Sequence, residues 1–536
     1  MPATPAISSD SPWAPLRHPV FRALWLATFA SNMGTLMQNV GAAWLMTSLT
    51  TSPLPAALVQ SANTLPVFLL GAIAGAFADI VDRRKLLLLT QGWMCAMSFI
   101  LAFVTLLGWA NPALLLGLTF ALGVGAALNA PAWQAIVSEL VPGKDLPSAV
   151  ALNSMGLNLA RAVAPAFGGL VVAAAGPGAA FLLNSASFVG VLAVLFRWKR
   201  PVTIRTLPAE PLREALSAGF RYVRYSPTVR AVLIRTGAFM SFGTVTWALL
   251  PSLSRYGLGL GPTGYGLLMG CLGVGAVMGA LLTARLRQTF TLNRILAGAT
   301  LLYAVALLVP AFVHHVAVVC VSMAAAGLGW LLLLSNFNAT VQASTPAWVR
   351  GRALAAYLLV AFGSQALGAA LWGAAAGRIG LWPTLGVCGL GMLMTLGLAR
   401  RFRIERPAVM PKEGACEPPA GADAWRNENA PIRVSVGYRI DPESERRFRE
   451  AMTELRLIRL RNGATRWTLS ADGEGRCVEA FEVPSGLALI RCYERMTDAD
   501  REAEERAGAF HLDAMPPDVT YSRCLPAASK SPQTKR

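Results

Sequence analysis

The sequence predicts an all-α membrane protein of twelve transmembrane helices in two six-helix repeats, followed by a small C-terminal α+β domain. Three observations carry this. The chain is 54% hydrophobic and only 14% charged, where soluble domains carry roughly 25% charged residues, so lipid is its solvent over most of its length. Acids are segregated: residues 1–400 hold only Asp10, Asp79, Asp82, Glu139, Asp145, Glu210 and Glu214, and the other 22 of 29 follow residue 400. Apolar runs of about 20 residues, the length a helix needs to cross the hydrocarbon, recur six times between residues 21 and 196 and six times between 229 and 400.

Those runs divide the chain. Residues 1–20 form a polar N-terminal tail, 21–200 the first six-helix half, 201–228 a central loop and 229–403 the second half. A Pro- and Ala-rich linker spans 404–430, a soluble domain 431–526 and a tail 527–536. No apolar stretch with a small-residue cleavage site precedes the first run, so a cleaved signal peptide is not expected. With the N-terminus inside, inner loops hold sixteen Lys and Arg against Arg255 and Arg378 outside, which orients both termini to the cytoplasm of a multi-pass inner-membrane protein. In the central loop, Leu212, Leu216, Phe220 and Val223 alternate with arginines at helical spacing, the pattern of an amphipathic helix on the membrane surface.

The halves repeat at an offset of 204 residues: Gly71 and Gly75 match Gly275 and Gly279, Gly123 and Gly125 match Gly327 and Gly329, and Gly169 matches Gly373. Parallel six-span repeats place a transport site between the halves near the midplane. The net charge of +18 is scattered in short loop clusters rather than on one face, which argues against a nucleic-acid partner. The eight cysteines show no paired spacing and no P-loop occurs, so no metal site, disulfide framework or ATP hydrolysis is expected, and no cofactor.

Between spans two and three runs Gly75-Ala-Phe-Ala-Asp79-Ile-Val-Asp82-Arg83-Arg84-Lys85, which resembles the loop signature of the major facilitator superfamily, with Asp82 where a second glycine is usual. Span five carries Arg161-Ala-Val-Ala-Pro165-Ala-Phe-Gly168-Gly169, similar to that superfamily's antiporter motif with Ala164 in a glycine position. Pro346–Arg352 resembles the enterobactin-exporter-like branch, the transmembrane secretion effector type. The resemblance covers roughly residues 15–405 and implies the major facilitator fold and a secondary transporter, most often an exporter of drugs or siderophores.

The reading is therefore a non-enzymatic exporter of a small amphipathic organic molecule, with proton coupling implied by the resemblance. An importer of a small solute, or a membrane-tethered sensor or enzyme acting through the C-terminal domain, are the alternatives. Gly75, Asp79, Asp82, Arg83, Arg84 and Lys85 are candidates for a gate, Asp79 facing the start of span eleven near Arg350. Arg161, Pro165, Gly168, Gly169, Asn158, Glu139, Asn129 and Gln38 are candidates for the transport path or coupling, because a polar group in a span must find protein or cavity water. An aromatic wall is suggested by Trp44, Phe68, Met94, Trp133, Trp247, Trp330 and Trp372.

In the tail the period changes. Ile432–Ile440 alternates as a strand, a helix follows Asp441, strands are expected at Arg466–Ser470 and Val478–Val483, helices at Ser485–Tyr493 and Asp498–His511, and a last strand at Val519–Cys524. That order is ferredoxin-like, and the domain resembles dimeric α+β barrel modules fused to some transporters, which implies a possible homodimer. Its single histidine, His511, is a poor metal set.

Overall fold

The computed structural model describes residues 13–80, 82–142, 145–198, 212–404, 421–472 and 475–524. The expected tail before residue 13, residues 201–211 of the central loop, most of the linker, Gly473 of the expected turn and the tail after 524 lie outside the described residues. The side chains of Gly75 and Asp79, inside a helix, do so too.

The helices of the apolar part are α1 (Pro19–Leu49), α2 (Pro53–Ile80), α3 (Arg83–Leu106), α4 (Pro112–Leu140), α5 (Leu146–Arg197), α6 (Leu212–Tyr225), α7 (Pro227–Ser252), α8 (Pro262–Thr289), α9 (Leu292–Phe312), α10 (Val316–Ala343), α11 (Ala347–Ile379) and α12 (Leu381–Arg401). Among the described residues, ten helices are long and apolar enough to cross a membrane. Proline opens several of them at the first helical turn, where its missing N–H costs nothing. Two expected spans are fused in α5, whose 52 residues contain one break at Gly176, where φ is +78°. Only glycine adopts that backbone readily, and Pro177 restarts the helix behind it.

The chain falls into two compact units. Unit one holds Met1–Pro208, Leu233–Phe337 and Tyr357–Arg403. Inside its first half, small residues let helices approach: a β-carbon on Gly34 would lie 2.7 Å from the Ser187 hydroxyl, and one on Gly125 would lie 2.6 Å from the Met94 side chain. Gln38 of α1 is buried and accepts from Ser98 of α3 at 2.6 Å and Asn184 of α5 at 2.7 Å. Met94 belongs to the same packed core, not to a cavity wall.

Unit two holds Ala209–Val232, Asn338–Ala356 and Ile404–Arg536. Its sheet consists of β1 (Ile432–Arg439), β2 (Arg466–Ala471), β3 (Arg476–Val483) and β4 (Asp518–Arg523), antiparallel in the order β2-β3-β1-β4. The helices α13 (Glu445–Asn462), α14 (Gly486–Glu494) and α15 (Asp498–Gly508) complete it. β1 alternates as its sequence demands, with Ile432, Val434, Val436 and Tyr438 buried against Phe448, Met452 and Leu455 of α13. A capping box of Thr497 and Asp500 starts α15.

At the centre of this domain sits a buried charge network. Glu479 is fully buried and accepts from Trp467 Nε1 at 2.9 Å, Arg459 Nε at 3.3 Å and Tyr438 at 3.4 Å. Arg459 also donates to Glu504 at 2.5 Å and lies over the rings of Phe481 and Tyr493. Burial alone would lower the Arg459 pKa, but the Glu479 and Glu504 carboxylates outweigh it and hold it well above its ordinary value. Glu479→Gln leaves the buried Arg459 with Glu504 as its remaining carboxylate, so it is expected to destabilise the domain by about 1–3 kcal/mol. Limited proteolysis of the full chain during heating measures this, and unchanged protection of the domain would contradict it.

The same unit contains a clasp between the C-terminal α+β domain and the segments of α6 and the α10–α11 turn. The Arg495 guanidinium stacks on Trp348 at 4.1 Å, Trp348 meets Tyr222 edge-on at 6.0 Å, and Arg461 covers Tyr222 at 5.5 Å. Tyr222 in turn donates to the Ser344 carbonyl at 3.1 Å, and Arg461 pairs with Asp500. α6 is thus held by α13 on one side and by the α10–α11 turn on the other.

Candidate functional site

The two halves of unit one meet near the turn joining α1 to α2. Tyr256 donates to the Thr47 carbonyl and lies 3.2 Å from that of Thr50, Arg255 sits over Trp44 at 5.2 Å, and Trp44 stacks near Tyr265 at 6.3 Å. Ser61 of α2 donates to the Ala366 carbonyl of α11 at 2.7 Å. Where α5 crosses α8 the backbones nearly touch: a β-carbon on Gly169 would lie 2.8 Å from the Gly266 Cα, and one on Gly273 would lie 2.7 Å from the Ala162 Cα.

Arg161 sits fifteen residues from the start of α5 and fifteen from the Gly176 break, roughly 22 Å from either at 1.5 Å per residue. Its side chain is exposed. Leu159 and Leu170, also exposed, lie about 160–180° around the helix from it at 100° per residue. Asn158 and Ser154, one and two turns earlier on the Arg161 side, are half-buried and exposed respectively. The neighbouring motif residues pack. Pro165 puts its carbonyl against Gly266, Gly168 faces α1 with its would-be β-carbon 3.0 Å from the Met37 Cα, and Gly169 faces α8.

The signature between α2 and α3 is engaged inside the first half. Asp82 caps α3 by accepting from the Lys85 N–H at 2.9 Å. Arg83 pairs with Glu139 of α4 at 2.8 Å, both side chains mostly buried. Arg84 donates to the carbonyls of Leu195 and Phe196 at 2.9 and 2.7 Å, satisfying the C-terminal end of α5. Lys85 is exposed. Asn129 accepts from Thr90 and Gln91, tying α4 to α3. Glu139, Asn129 and Gln38 each tie two helices together, whereas Arg161 is exposed and Asn158, half-buried, lies on the same side of α5.

Two features escaped the sequence reading. Arg235, 6% exposed within α7, donates to Asn293 at 3.1 Å and stacks on Phe337. It carried the same signal as Arg161, a lone arginine in an apolar run. The second is the packing of Trp247 and Trp330, both expected in an aromatic wall, with Phe239 and Tyr303 into one cluster with centroids 5.1–6.1 Å apart, anchored by Tyr303 donating to the Gly243 carbonyl at 2.7 Å. Among the described residues no group of His, Cys, Asp and Glu could hold a metal ion, and His511 Nδ1 accepts the Arg439 N–H at 2.9 Å.

The model of the transmembrane secretion effector family matches residues 10–530, almost the whole chain. The chain belongs to that family. It is a multi-pass membrane transporter of the major facilitator type, of the enterobactin-exporter-like branch, and not an enzyme. It is 27% identical over 404 residues to the enterobactin exporter EntS of Salmonella choleraesuis (strain SC-B67), covering 73% of this chain and 95% of the relative. The protein of the same name from Escherichia coli O157:H7 is 27% identical over 415 residues, covering 74% and 96%. In fold the chain is similar to a bacterial homolog of the human lysosomal transporter Spinster in an inward-facing, unoccupied conformation, with TM-score 0.59, 16% identity and coverage of 74% of this chain and 99% of that one. The nucleoside transporter NupG gives TM-score 0.59 at 11% identity, covering 72% and 100%.

Proposed function

We propose that this transporter exports a small amphipathic molecule of the siderophore or drug class across the inner membrane by alternating access, with proton coupling. The observation that carries it is the pairing of the ties that close the α1–α2 end with a mid-span guanidinium, Arg161, exposed on the side of α5 opposite Leu159 and Leu170. With both termini cytoplasmic, as the arginine bias favours, the sealed end is the outer one and cargo enters from inside. Twelve crossings fit this reading: the two arms of α5 around Gly176 each count, and α1 joins the ten strongly apolar helices. Arg161 would meet an acidic group of the cargo, as the similarity to enterobactin exporters supports.

The coupling carboxylate must lie in the first half, because no Asp or Glu occurs between Glu214 and Glu405. Asp79 remains our gate and coupling candidate, with Glu139 next; when the outer end opens, Asp79 would close the inner end against α11. Everted vesicles test both ideas. Wild-type vesicles should accumulate a siderophore-class fluorescent probe when acidified inside, Asp79→Asn should abolish turnover with normal insertion, and accumulation indifferent to the proton gradient would remove the coupling. We read the soluble domain as ferredoxin-like, which its strand order supports, and as a homodimer contact through the sheet face bearing Val478. Light scattering of the purified full chain decides the dimer.

A further inference from the structure

In unit two, a cavity of about 220 Å³ opens where α6 turns into α7 and α13 packs beside them. Three arginines from two parts of the chain line it, Arg224 and Arg230 from the α6–α7 elbow and Arg456 from α13, with Tyr225, Leu457 and Leu460 as apolar wall. Among the described residues no carboxylate lines it. Other arginines of the domain are committed to acids: Arg459 to Glu479 and Glu504, Arg461 to Asp500, Arg506 to Glu454. Arg224 and Arg456 instead rest against aromatic rings, Tyr225 and Trp467, both at 5.8 Å.

We propose that this cavity binds a phosphate-bearing anion, a phosphate group held by the forks of Arg224, Arg230 and Arg456. Three like charges around one cavity repel, and an anion between them removes that cost. Planar guanidinium forks match phosphate oxygens two at a time, and stacking on an aromatic ring fixes the plane in advance. The cavity is below the roughly 300–1,000 Å³ of sites that enclose a whole drug-sized ligand, so it suits a head group. A membrane-crossing candidate begins at Pro227, beside the cavity, which puts the arginines level with lipid head groups. Such a ligand would bridge the start of α7 to the soluble domain.

The phosphate can belong to an anionic lipid or to a soluble molecule, and one titration distinguishes them. The purified full chain in detergent is unfolded thermally with short-chain phosphatidylglycerol, with short-chain phosphatidylcholine, or with inorganic phosphate. Phosphatidylglycerol alone raising the unfolding temperature assigns the lipid head group; inorganic phosphate raising it, or competing with the lipid, assigns a free phosphate group. Either supports the site provided Arg456→Gln weakens the effective anion by about tenfold or more, the worth of a charged hydrogen bond. Arg230→Gln repeats the test from α7 should Arg456→Gln fold poorly. Arg446→Gln, also on α13 but with its side chain 90% exposed, should behave as wild type. No anion shifting the wild type beyond phosphatidylcholine, or Arg446→Gln weakening it as much as Arg456→Gln, would overturn the proposal.

Discussion

Arg161→Ala is expected to insert and fold as wild type and to lose export by about tenfold to a hundredfold. That range corresponds to one charged hydrogen bond, about 1.5–3 kcal/mol. The reasoning begins with depth. A guanidinium at mid-span costs about 2.5–3.5 kcal/mol on insertion scales, so a protein keeps one there only where it meets water, a partner or cargo. Arg161 is exposed on the side of α5 opposite Leu159 and Leu170, where water or cargo can reach it on the proposed export path. Arg161→Lys keeps the charge and loses the planar fork, so partial export is expected if the contact is electrostatic and loss equal to alanine if it is bidentate. Quantitative membrane extraction measures insertion, and efflux from loaded cells measures export. Failure of Arg161→Ala to insert would make the residue a helix clamp, and wild-type efflux would end its functional role.

The second large effect is expected at Gly169, and the residue before it supplies the contrast. Gly169 faces α8 across the boundary between halves, within 2.8 Å of Gly266 as a β-carbon would measure it. A larger side chain there burdens only the conformation in which the α1–α2 end is sealed. An overpacking cost of about 1–3 kcal/mol becomes a shift of roughly 5–150-fold in the equilibrium between the two access states. Gly169→Leu should therefore expose single cysteines introduced at Thr47 or Ala366 to a membrane-impermeant reagent. Gly168 faces α1 of its own half, so Gly168→Leu weighs on both states alike and should lower thermal stability without changing that labelling. Equal labelling of the two variants would show that the α5–α8 crossing does not open during transport.

Much of this was legible in one dimension because lipid is an unforgiving solvent. A span must satisfy its own backbone and be apolar for some 20 residues, so each leaves a mark that periodicity alone reveals. The same logic exposed Arg161, since one charge in such a run needs a reason. It applies equally to Arg235, a lone arginine eight residues after Pro227. In the soluble domain, alternation in Ile432–Arg439 and the turn residues sufficed to place the strands. Gly176 marked the break between spans, though not that the helix would resume at once.

What the sequence determined by itself, then, is the set of apolar helices, their repeat and the lone cations within them, because each depends on residues near one another in the chain. Only the tertiary structure decided which face each polar residue occupies. Gln38, Asn129 and Arg161 are all polar groups in spans, yet the first two are consumed by ties to neighbouring helices and the third is not, a difference set by partners far away in sequence. The same holds for adjacent Gly168 and Gly169, indistinguishable in the motif but turned 100° apart, one to its own half and one to the other. It holds again for Arg495, Trp348, Tyr222 and Arg461, whose stack joins three distant segments. Helix formation is local and written in periodicity; the angular phase at which helices meet follows from how all of them pack together, and no single segment carries it.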